Sequence, residues 1–244
     1  MCDLQVSFLI LHMILYEDDF VVAVAKPNNM LVHHSAMARN QSEAQTLVEI
    51  LFETFGKHFY PMHRLDRKTS GIVLCAKEKQ YVSAFQELFI TNQIEKVYYG
   101  VVRGFSPEKG TIDSPVKGRD ATVHKDALTH FETVTTIELP IPVQPFETSR
   151  YSLVKLLPNT GRMHQLRIHL NKISHPLIGD PKYGDRYHNR MFQAEFEIFE
   201  LFLHAASLSF VHPFLQKPMV IPCSFPRHWH KISEKCNWDL TDDC

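Results

Sequence analysis

Apolar residues fall along this chain in two rhythms. A continuous Val-rich run at residues 20–25 (FVVAVA) is stopped by Lys26-Pro27-Asn28-Asn29, the pattern of a buried strand ending in a turn. Short apolar runs at residues 72–76 (IVLCA) and 97–102 (VYYGVV) predict further strands. So do residues 131–138, 151–157, 205–211 and 219–221. Helical spacing governs residues 46–55 and 79–91, and a last helix is expected from about Pro226. In residues 163–173, Met163, Leu166, Leu170 and Ile173 share one face, with Arg162, Gln165, Arg167 and Lys172 elsewhere. That predicts an amphipathic helix with its basic residues outside the apolar stripe. Strands and helices do not alternate strictly, so the expected class is α+β: a mixed, largely antiparallel sheet flanked by helices. The sharpest break is LPIPVQPFE at 139–147, with three prolines, readable as a linker or as a loop joining two halves of one sheet.

Composition narrows the class. The chain has 244 residues, 44% hydrophobic and 22% charged, a globular balance at a length that needs no disulfide or metal to hold a core. The five cysteines (Cys2, Cys75, Cys223, Cys236, Cys244) are odd in number and form no CxxC pair, which fits a reducing compartment. The apolar stretch 6–16 is broken by Ser7 and His12 and is too short for a bilayer. With no basic residue ahead of it, it makes a poor signal peptide. A cytoplasmic protein without a membrane partner is expected.

Net charge is −1, yet residues 150–190 hold eight Lys/Arg against two Asp, a net of +6. A basic segment in an otherwise acidic chain is the footprint expected for a polyphosphate partner, or else a solvated surface. Within it, Lys155, Arg162 and His164 are the candidate phosphate contacts.

One segment concentrates chemistry: HRLDRKTSG at 63–71, followed by the strand IVLCA. Asp66 stands among Arg64, Arg67 and Lys68, and neighbouring cations favour an ionised carboxylate. Such a group can act as a nucleophile or an electrostatic stabiliser, or be one member of a surface ion-pair cluster.

The segment resembles the signature of the RluA-type pseudouridine synthases, HRLDxxTSG, and stands here complete. Other blocks similar to that family follow in order: KPNNMLVH at 26–33, KVYYGVVRG at 96–104, TGRMHQLRIHL at 160–170, SHPLIGDPKYG at 174–184 and LHA at 203–205. Together they span about residues 16 to 222. LVH near the start, the segment ending in TGRMHQLRIHL, and GDRYHNR at 184–190 look most like the branch acting on uridine 65 of transfer RNA.

The resemblance implies a pseudouridine synthase fold with the active cleft across the sheet, and isomerisation of a uridine to pseudouridine without cofactor or metal. Consistent with this, HExxH, Walker A and GxGxxG motifs are absent from the sequence. It implies Asp66 as the essential aspartate, Arg167 as its ion-pair partner, and Tyr98 as the ring that packs on the target base. Arg64 would fill the space of the extruded nucleotide, and Arg67 is a further RNA contact. Tyr99 must face away from Tyr98 if 97–102 is a strand. Asp180 reads as a turn residue; His164 and His169, five apart, do not stack on one helical face.

Residues 1–12 are expected to be an N-terminal extension, disordered or strand-extending, before a single catalytic domain at 13–244 without an S4 module. Residues 112–150 and 184–200 follow the family least and are the candidates for RNA-specific contacts. The expected partner is RNA, transfer RNA first, with no obligatory protein partner and a monomeric state. Three other readings stay open: a ribosomal RNA pseudouridine synthase, an idle RNA-binding protein on the same scaffold, and a hydrolase pairing Asp66 with Asp180.

Overall fold

The structure is a computed structural model that describes residues 13–34, 45–117, 122–238 and 240. The N-terminal extension expected at 1–12 lies outside the described residues. The chain forms two compact units: residues 1–95 with 206–224, and residues 96–205 with 225–244. The class is α+β, as the mixture of rhythms predicts.

In the first unit, β1 (Ile14–Glu17), β2 (Val21–Lys26) and β4 (Ser70–Ala76) run antiparallel side by side, and the short β3 (Tyr60–Pro61) also pairs with β4. β2 and β4 are apolar without alternation because they are covered on both faces: Val21 to Val24 and Ile72 to Ala76 are all at most 1% exposed. Helix α1 (Leu47–Phe55) opens on a capping box in which Thr46 and Glu49 satisfy each other's backbone N–H. It closes on Gly56, left-handed at φ 66°. The helical pattern at 79–91 resolves into a 3-10 turn, Lys79–Tyr81, and α2 (Val82–Ile90). Phe85 and Leu88 of α2 join Val21, Ala23, Ile72 and Leu74 in the core.

The second unit carries β5 (Glu95–Arg103), β6 (Lys109–Asp113), β9 (Leu128–Leu139) and β10 (Ser149–Pro158), in the order β5-β10-β9-β6 and antiparallel throughout. A separate ribbon pairs β7 (Val116–Lys117) with β8 (His124–Lys125). Ser149 pairs with Leu139, so residues 140–148 are the connection of a hairpin, not a linker. Three prolines there cannot donate to a ladder, which ends the pairing.

The two faces of this sheet are covered differently. Tyr98, Val102, Val154 and Leu156 meet α3 (Gln165–Lys172) through Leu166 and Leu170. Tyr99, Val101, Tyr151 and Leu153 meet α4 (Arg186–Phe196) through Met191, Phe192 and Phe196, and α5 (Arg227–Cys236) through Trp229 and Ile232. β11 (Leu203–Val211) begins in the second unit and ends in the first, where it pairs antiparallel with β12 (Pro218–Pro222).

Candidate active site

The loop bearing Asp66 links β3 to β4 and is fixed by its own residues and by the turn after β2. The Thr69 N–H donates to the Asp66 carbonyl at 3.1 Å, closing a β-turn. Leu65 points inward at 6% exposure and Thr69 and Ser70 are buried, while Arg64 and Arg67 are exposed and Asp66 is half-buried. The loop is therefore anchored at both ends with its charges outward. His63 Nε2 accepts the Leu74 N–H at 3.0 Å, which fixes the start of the loop against β4.

Three side chains clip this loop to residues 26–30. Asn28 Nδ2 donates to the Lys68 carbonyl (2.5 Å), and Arg67 Nε donates to the Asn29 carbonyl (3.1 Å). Lys26, 1% exposed, donates from Nζ to the carbonyls of Pro27 (2.8 Å), Met30 (2.9 Å) and Arg67 (3.3 Å). Three acceptors match the three N–H groups of an ammonium. Burial pushes Lys26 down to about 7, while the neighbouring Asp66 carboxylate pulls it upward. Lys26 is a member of this site that residue-type reasoning missed, although it heads the KPNNMLVH block.

In the second unit, strand alternation places Tyr98 on the α3 face, half-buried against Leu156 and its neighbours, and Tyr99 on the opposite face against Phe225. Lys155 pairs in register with Tyr99, and Leu156 with Tyr98. Lys155 therefore lies on the face away from Tyr98, and the structure does not bring these two expected site residues together. Helix α4, from the 184–200 segment, covers that same far face.

Helix α3 starts at Gln165, two residues later than expected, after His164 in a left-handed conformation (φ 57°). Gln165 and Arg167, outside the apolar stripe as expected, are nonetheless 4% and 5% exposed. Partners distant in sequence make this burial tolerable. The Gln165 amide donates to the Leu128 carbonyl and Thr129 Oγ1, both at 3.0 Å, and its oxygen accepts from the Arg162 N–H and Thr160. One turn on, His169 meets Thr129 Oγ1 through Nδ1 (3.0 Å) and the Ser114 carbonyl through Nε2 (2.8 Å), and burial pushes its pKa down. Those two side chains tie one face of α3 to β9, and Arg167 leaves the opposite face.

Arg167 is gripped by Asp180, with Nε to Oδ2 at 2.7 Å and Nη2 to Oδ1 at 2.8 Å. The carboxylate also accepts the N–H groups of Lys182 (2.9 Å) and Tyr183 (3.1 Å). Burial pushes the Asp180 carboxyl up, but the guanidinium and the two N–H groups outweigh it and hold its pKa below the usual range. Four donors fill the acceptor sites of one carboxylate, so Asp180 is an anchor, and the acid/base pair required by a two-carboxylate hydrolase loses a member. Tyr183 lies under the guanidinium at 5.2 Å and meets His164 Nδ1 through its hydroxyl at 3.1 Å. Reading Asp180 as a turn residue was incomplete, and Tyr183 was missed; the signal for both is the GDPKYG block.

That block is shaped by its glycines. A Cβ at Gly179 (φ 78°) would lie 1.9 Å from the Glu200 carbonyl oxygen, and one at Gly184 would lie 2.3 Å from the Asp180 carbonyl oxygen. Arg162, exposed ahead of α3, donates from Nε to the Asp126 carbonyl at 3.0 Å.

The chain matches the family model described as RNA pseudouridylate synthase over residues 20–172. It is 37% identical over 235 residues to the tRNA pseudouridine synthase C of Vibrio cholerae, covering 92% of this chain and 96% of the relative. Identity is also 37% over 236 residues to that of Haemophilus influenzae, covering 93% and 98%. Among solved structures, human RNA Pseudouridylate Synthase Domain Containing 4 aligns with a TM-score of 0.71 at 24% identity over 97% of this chain and 98% of that one. At that identity the likeness concerns the fold. Signature, fold and relatives agree: the chain belongs to the RNA pseudouridylate synthase family, isomerases that act on RNA.

Proposed function

We propose that this enzyme converts one uridine of transfer RNA to pseudouridine, with uridine 65 the first position to examine. The observation that carries the reading is the 37% identity to tRNA pseudouridine synthase C across nearly the whole of both chains. Relatives carrying that name favour transfer RNA over ribosomal RNA. The complete HRLDRKTSG loop, held in place by Lys26, Asn28 and Arg67, favours an active enzyme over an idle scaffold.

The reaction leaves the formula of the nucleoside unchanged. The bond from N1 to C1′ of the ribose breaks, the base turns, C5 bonds to C1′, the C5 proton leaves and N1 gains one. Asp66 is the carboxylate assigned to this exchange, as nucleophile or as stabiliser of the electron-poor sugar. Lys26 ties the Arg67 carbonyl, just after it, to the turn at residues 27–30. By motif, Tyr98 packs on the base and Arg167 pairs with the Asp66 carboxylate and aims it. Arg64 takes the place of the extruded nucleotide, whose unstacking costs a few kcal/mol. Arg162 and His164 are RNA contacts on the α3 face. The enzyme is assigned to the cytoplasm, as a monomer that needs no protein partner.

Asp66→Asn tests the reading, with tritium release from 5-tritiated uridine in unmodified transfer RNA transcripts and chemical mapping of the product. Isomerisation falls by at least about 10³-fold, on the scale of a lost transition-state partner, while RNA affinity and thermal stability stay near wild type. Turnover retained by Asp66→Asn rejects the assignment.

A further inference from the structure

The first unit contains a cavity of about 530 Å³ lined by Glu49, Phe52 and Glu53 of α1, by His58, Phe59 and Tyr60, and by His33. None of these residues belongs to the reaction as described. The size suits a nucleotide-sized ligand, and three features say which kind.

The first is a ready-made stacking layer. Phe52 and His58 stack with ring centroids 4.5 Å apart and planes 21° from parallel. Phe52 is 42% exposed on the outer face of α1, although Leu47 and Leu51 of the same helix are fully buried. Folding does not account for a large ring held at the mouth of a cavity. The second feature is cationic. Lys57 Nζ lies 5.4 Å from the centre of the Phe59 ring, and Arg64 is near enough to His33 to add to the burial that lowers the imidazole pKa. Flat aromatic walls match a nucleobase, with Lys57 and Arg64 as the cations for its phosphate; the two lining carboxylates are engaged within the protein, Glu49 by Thr46 and Glu53 by Gln45.

Position is the third. Tyr60 and Pro61 form β3, which runs directly into the Asp66 loop. Five residues from Pro61 to Asp66 span at most about 18 Å even when fully extended. His33 closes the segment whose start, residues 26–30, is clipped to that same loop.

We infer that this cavity receives an unstacked nucleobase of the substrate RNA, from a nucleotide flanking the target uridine, by stacking on Phe52 and His58. A second base held beside the reacting one offsets the unpairing that base flipping demands and gives the enzyme a way to read sequence context. The inference rests on the assignment of the chain as a transfer RNA-modifying enzyme.

The test uses unmodified transfer RNA transcripts with 2-aminopurine placed in turn at positions flanking the target uridine. Binding to wild type quenches the fluorophore at one position. Phe52→Leu, which keeps apolar bulk but loses the ring, weakens binding about tenfold, within the range for one lost base–aromatic stack, and abolishes the quench. Phe52→Tyr, which restores the ring, behaves as wild type. Ile90→Ala, at a 73% exposed apolar position elsewhere in the same unit, changes nothing. Circular dichroism melting checks that each variant is folded. Wild-type affinity in Phe52→Leu, or no quench at any flanking position, overturns the inference while wild-type tritium release keeps the enzymatic assignment intact. Absence of tritium release from wild type on every transfer RNA removes both.

Discussion

Arg167 is 5% and Asp180 1% exposed, so both charges have left water, at a loss of several kcal/mol per ion that only close geometry can offset. Two guanidinium bonds under 2.9 Å and two backbone donors supply that geometry. Replacing Asp180 with Asn keeps the shape but takes a carboxylate charge away from a buried guanidinium. Asp180→Asn is expected to lower unfolding stability by about 3–5 kcal/mol in urea titrations; a loss under about 1 kcal/mol would mean that the pair does not hold the GDPKYG loop. The pH dependence has a definite sign. The folded pKa of Asp180 lies below its unfolded value, so its contribution is present above the unfolded pKa and is lost as acid protonates the folded carboxylate. The variant should therefore show a shallower acid limb than wild type.

At the scale of elements, α5 carries a comparable signal of opposite chemistry. Burial pushes His228 down to about 4 from 6.5, against a weaker upward pull from Glu200. Its ring packs edge-on to Phe202, 5.1 Å between centroids. Between pH about 4 and 6.5 the unfolded chain binds a proton that the folded chain refuses, so stability rises with pH across that window and falls by a few kcal/mol toward its lower end. His228→Gln flattens the dependence in that window; an unchanged slope in pH-dependent melts would mean that another group dominates it. The same scale shows how legible the fold was. β2, β4 and β5 could be read because their apolar runs record burial directly. Helix α4 was not foreseen, since only Met191, Phe192 and Phe196 of its residues are buried and its polar start reads as loop. β6 (KGTID) was missed because Ile112 is its one buried side chain. The helical wheel of α3 could not show that Gln165 and Arg167 are buried, because the partners that bury them, Leu128, Thr129 and Asp180, lie 13 or more residues away in sequence. The HRLDRKTSG segment stood out in the sequence; the clips that hold it did not, because Lys26 and Asn28 act about 40 residues upstream on backbone carbonyls.

Across the whole molecule, a net charge of −1 conceals the +6 of residues 150–190, and the structure divides that segment rather than presenting it as one stripe. Arg150 meets Glu138 at 3.3 Å and Arg167 is bound by Asp180. What remains falls on two sides of one sheet: Arg162 precedes α3 on the Tyr98 face, while Lys155 shares the Tyr99 face that α4 covers. An RNA strand on the Tyr98 face is therefore expected to meet Arg162 rather than Lys155. Each phosphate neutralised releases counterions, so the slope of log affinity against log salt counts such contacts. Arg162→Ala is expected to weaken transfer RNA binding and reduce the magnitude of that slope by about 0.7–1, with Lys155→Ala leaving it unchanged. Filter-binding titrations from 50 to 300 mM salt measure both. Equal flattening by the two variants would put RNA on both sides of the sheet, and flattening by Lys155→Ala alone would move the substrate away from Tyr98 and reject the α3 face as its platform.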